Sequence, residues 1–74
     1  MNEFVINVAR IEELQMLQDR QELEQIFARA KSTIVNGEKV ILVRSSGSRP
    51  PEKFDELTTL SDLNVYRKEV FKYL

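Results

Sequence analysis

The stretch best suited to holding a ligand is Arg44-Ser45-Ser46-Gly47-Ser48-Arg49, followed by Pro50, Pro51, Glu52 and Lys53. Small hydroxyl residues and a glycine let backbone N–H groups converge on an anion, and arginine grips phosphate through two parallel hydrogen bonds. Three bases stand against the single acid Glu52, a local charge of +2. On this reading Arg44, Ser46, Arg49 and Lys53 are candidate contacts to a phosphate ligand or nucleic acid. No aromatic residue is interleaved with them, which weighs against stacking on single-stranded bases. The plainer alternative is a solvated connection between two strands.

The remaining chemistry is sparse. Glu12-Glu13 and Asp55-Glu56 are paired carboxylates, but adjacent helical residues point about 100° apart and form no acid–base dyad. Tyr66 and Tyr73 share a helix face without a nearby base. The chain has no histidine and no cysteine. This excludes Ser-His-Asp and Cys-His nucleophiles, zinc sites built on those ligands, and disulfides. With Gly37 and Gly47 the only glycines, there is neither a P-loop nor a GxGxxG turn. No catalytic residue, metal or cofactor is expected, and the chain reads as a non-enzyme.

These residues must be positioned by few elements. Phe4 to Val8 alternates as a strand, with Phe4, Ile6 and Val8 on one face. Ile11, Leu14 and Leu17 are spaced as a short helix. Asp19 and Glu22 resemble a capping box opening a helix from about Arg20 to Asn36, whose stripe is Leu23, Ile26, Phe27, Ala30 and Ile34. Gly37 stands where a left-handed residue would end it. On one helical wheel the Ile11-Leu14-Leu17 stripe falls opposite the Leu23 stripe, so a break near Asp19 is expected. The alternative is a single continuous helix packed between two layers.

Lys39 to Arg44 is a strand, apolar on both faces at its centre. Strand, helix and strand in this order predict a right-handed crossover with parallel strands. Residues 52–60 are ambiguous: Phe54, Leu57 and Leu60 are three apart, as in a helix, yet an extended return segment is slightly favoured. Ser61 is expected to cap a last helix, Asp62 to Leu74. The fold class is α+β, or a small α/β: a β-α-β core with a short helix after strand 1, a two- or three-stranded sheet, and a C-terminal helix packed on it.

At 74 residues the chain is one domain, residues 1–74, and too small to bury a large core alone. Eleven basic residues against twelve acidic leave a net charge of −1, unlike a dedicated nucleic-acid or membrane binder. The longest apolar run is Val40 to Val43, and the sequence starts without the cationic segment of a signal peptide. A soluble cytoplasmic protein is therefore expected. Apolar groups outside the main stripe include Ile11, Leu14, Met16, Leu17, Val65 and Phe71. Small domains meet such a surplus by oligomerising, most often as twofold dimers. The leading expectation is a protein–protein interaction module that self-associates as a homodimer through its second sheet face or an uncovered helix stripe. Leu14, Leu17, Val65 and Phe71 are the candidate interface residues, and a compact monomer is the alternative.

Overall fold

The computed structural model describes residues 3–45, 47–72 and 74. Its elements follow in the order β1 (Phe4–Asn7), α1 (Val8–Met16), α2 (Arg20–Val35), β2 (Val40–Arg44), β3 (Glu52–Leu57) and α3 (Leu60–Phe71). The sheet order is β1-β2-β3, with β1 parallel and β3 antiparallel to β2. This is the α+β arrangement read from the sequence, and residues 52–57 form the returning strand.

Local chemistry sets the boundaries. Strand β1 stops at Asn7, one residue before the expected end, because the Asn7 side chain accepts from the Ala9 N–H at 3.0 Å and starts α1 at Val8. The break between α1 and α2 is real. Asp19 N–H donates to Leu14 O and Gln18 N–H to Gln15 O, a Schellman closure with Gln18 held at φ +53°. Asp19 then caps α2 by accepting from the Glu22 N–H at 3.2 Å. At the far end of α2 the same closure recurs around Gly37, at φ +82°, with Glu38 N–H donating to Thr33 O. The last helix begins earlier than expected. Thr59, not Ser61, is its cap, because the Thr59 hydroxyl accepts from Asp62 N–H while the Asp62 carboxylate accepts from Thr58 N–H. The helix also ends short of the expected Leu74: it closes at Phe71 with Lys72 as its C-cap, and Leu74 is not helical, while Tyr73 lies outside the described residues.

All three helices contribute to one core cluster. It joins Ile11 and Leu14 of α1, Leu23, Phe27, Ala30 and Ile34 of α2, and Leu63 and Val70 of α3 to Ile6, Val40, Leu42 and Leu57 of the sheet. Phe27 is its aromatic hub, 5.6 Å from the Tyr66 ring centroid and 5.7 Å from that of Phe71. Ile41 and Val43 are buried but stand outside the cluster. Alternation turns them to the opposite sheet face, where no described helix lies. There the flanking strands cover them: Ile41 pairs with Val5 and Glu56, and Val43 with Asn7 and Lys53. The molecule is thus two layers, 31 × 29 × 17 Å overall. No described helix is long and apolar enough to cross a membrane.

Candidate functional site

The basic stretch at the end of β2 is largely compensated. Arg44 pairs with Glu12 of α1 at 2.7 Å. Lys53 reaches Glu56 at 3.0 Å, and Lys39 approaches the same carboxylate at 3.8 Å. The hydrogen bond and charge of Lys53, with the charge of Lys39, hold the Glu56 carboxyl below its usual range. The Ser45 hydroxyl accepts from Asn7 Nδ2 at 2.8 Å. Arg49 is exposed and makes no ion pair among the described residues, and Ser46 lies outside them. Of the three described candidate anion contacts, two are engaged with carboxylates and one is exposed to solvent.

The paired carboxylates separate as the geometry of adjacent residues requires. Glu12 turns to Arg44, and Glu13 to Arg10 at 3.0 Å. Asp55 lies opposite Leu42 and Glu56 opposite Ile41, on opposite sheet faces. Among the described residues no group of three or more metal-ligating side chains gathers. The Tyr66 hydroxyl is buried without a hydrogen-bond partner among the described residues. Burial pushes its phenol up to about 12; the Glu12 carboxylate adds to this and the Arg44 guanidinium opposes it. It is poorly suited to giving up a proton near neutral pH.

The expected interface residues are scattered. Leu14, with Ile11, is only 1% exposed and belongs to the core. The break at Gln18 turns the α1 stripe inward, so Leu14 is not available to a partner. Phe71 packs against the core beneath the guanidinium groups of Arg67 and Arg20, 4.7 and 5.5 Å from its ring centroid. Leu17 and Val65 are exposed, at 66% and 62%, but one follows α1 and the other lies on α3 beside β3. Met16 is also exposed.

A more coherent surface lies along β1. The sheet has two outer edges, and they differ. Strand β3 carries Glu52, Lys53, Asp55 and Glu56, follows Pro50-Pro51, and is irregular where Phe54 intervenes between the partners of Leu42 and Val43. Charges, prolines and bulges are devices that blunt an edge against further pairing. Strand β1, Phe-Val-Ile-Asn, has no charge, proline or bulge. Beside it runs a groove of about 480 Å³, lined among others by Phe4, Val5 and Ile6 of β1 and by Glu22, Ile26 and Arg29 of α2. The Arg29 guanidinium lies 5.1 Å from the Phe4 ring centroid, and Val5 is 56% exposed. Residues from both faces of β1 line the groove, so it follows the open edge rather than one face. Sequence reading missed Val5, Glu22, Ile26 and Arg29 in this role, because which strand is an edge depends on sheet order. The contrast between an uncharged first strand and a charged third was the available signal.

Comparison with protein-family models, curated proteins and solved structures finds no match to this chain.

Proposed function

We propose that the chain is a non-enzymatic interaction module of the cytoplasm that self-associates as a homodimer. The observation that carries this reading is the unblunted edge of β1 with its apolar groove under α2. An open edge presents backbone donors and acceptors that another strand satisfies. The groove adds apolar surface whose removal from water drives association. The net charge of −1 and the ion pairs already closed within the chain leave little long-range repulsion between two copies. The phosphate or nucleic-acid alternative finds less support, since Arg44 and Lys53 are engaged with Glu12 and Glu56.

Sedimentation equilibrium up to about 100 μM, a concentration that populates even a weak complex, tests the reading. A concentration-dependent mass of two chains is expected. A mass of one chain throughout would refute self-association.

A further inference from the structure

The groove beside β1 has a symmetry that points to its occupant. Phe4 N–H donates to Lys39 O at 3.1 Å, so the backbone groups of Phe4 face β2. Alternation along the strand turns the N–H and C=O of Val5 to the open edge. Two antiparallel copies of β1 with Val5 opposite Val5 would exchange both hydrogen bonds of that residue about a twofold axis. The next pair in this register joins the Asn7 N–H to Glu3 of the partner subunit. It leaves the Asn7 carbonyl to its role at the start of α1 and keeps the core face of one sheet continuous with the core face of the other.

The neighbouring helix obeys the same axis. Glu22 and Arg29 lie seven residues apart, two turns and about 10 Å along α2, with Gln25 and Ile26 midway. Arg29 sits at the Phe4 end of β1, and a strand-helix-strand crossover runs its helix back toward the strand's start. Glu22 therefore falls toward the Asn7 end, and the middle of the helix pair lies beside the middle of β1. Neither Glu22 nor Arg29 makes an ion pair within the chain among the described residues. An antiparallel α2–α2 contact would set each Glu22 against the opposite Arg29. A charge pattern that inverts about its own centre is what an isologous contact requires.

Resting on the self-association reading, we propose that two copies join edge to edge through β1, giving one six-stranded sheet with the two α2 helices antiparallel beside each other and Glu22 facing Arg29 of the partner subunit.

The test uses the whole chain. Val5→Pro deletes the central donors at a position whose N–H is not part of the β1–β2 ladder, and is expected to leave a folded monomer. Arg29→Glu should weaken dimerisation about tenfold. Glu22→Arg should do likewise, and a mixture of these two variants should regain a mixed dimer because both crossed pairs become attractive again. Val5→Cys offers a direct readout in a chain without cysteine. Paired Cα atoms in this register would lie about 5.5 Å apart, within disulfide reach, so mild oxidation should link two copies, whereas Phe54→Cys should not. A wild-type dimer that survives Val5→Pro, ignores the charge exchange and crosslinks through Phe54→Cys would overturn the edge contact while leaving self-association standing. A monomeric wild type would overturn both.

Discussion

Removing the hydroxyl of Tyr66 should make the protein more stable. The ring packs on Phe27 at 5.6 Å between centroids, a contact that Tyr66→Phe keeps. The hydroxyl is buried and makes no hydrogen bond among the described residues. A buried polar group without a partner costs about 1–3 kcal/mol relative to the same group in water. The side chain as a whole is only half-buried, so the low end applies, about 1 kcal/mol. For a domain of this size that corresponds to a rise in Tm of about 4–8 °C. Urea unfolding followed by far-ultraviolet circular dichroism measures it directly. The pH dependence gives a second reading. The folded phenol titrates near 12, above its ordinary value of 10.0. Stability associated with the neutral phenol is therefore full below pH 10 and lost as pH rises through about 12. Tyr66→Phe should flatten that alkaline loss. A Tyr66→Phe variant about 1 kcal/mol less stable than the parent would refute the reasoning, since the hydroxyl would then have a partner that the substitution removes.

Phe27→Ala removes the ring that both Tyr66 and Phe71 pack against. It should cost about 3–5 kcal/mol, a large part of the roughly 4–11 kcal/mol that a chain of this length commands, and thermal melting should show a protein close to its unfolding threshold. Gly37→Ala meets no steric obstacle, but at φ +82° it should cost about 1 kcal/mol in backbone strain; Gln18→Gly, at φ +53°, should shift the urea midpoint in the opposite direction. Lys53→Ala should let the Glu56 carboxyl rise back toward 4.5, as followed by NMR titration, since the Lys53 hydrogen bond is its main cause of depression. Because that carboxyl is depressed in the fold, its contribution is present above the ordinary carboxylate range and fades as pH falls.

Much of the architecture was legible because it rests on periodicity. The Leu23 stripe, the apolar β2 and the opposed wheel positions of Ile11 and Leu14 dictated two helices and a covered strand. What escaped was decided by single side chains acting on backbone. Asn7 ends a strand and starts a helix at once, and Thr59 outcompeted Ser61 because Asp62 lies where it can answer the cap. Gln18 adopts a left-handed conformation that nothing in its side chain announces. Surface roles were less legible still. Leu14 looked surplus because periodicity marks the apolar face of α1 but not which elements cover it, and Val5 gained significance only once β1 was known to lie at an edge.

Asn7 also couples events that most folds keep apart. With no connecting residue between β1 and α1, and with its amide reaching across to Ser45 beyond β2, a one-residue slip of the parallel ladder would misplace a helix start and a cross-strand tie together. Alternative registers, normally disfavoured by side-chain facing alone, are thereby penalised a second time at the junction itself. A strand of four residues can in this way hold an unambiguous alignment that its short ladder would not guarantee.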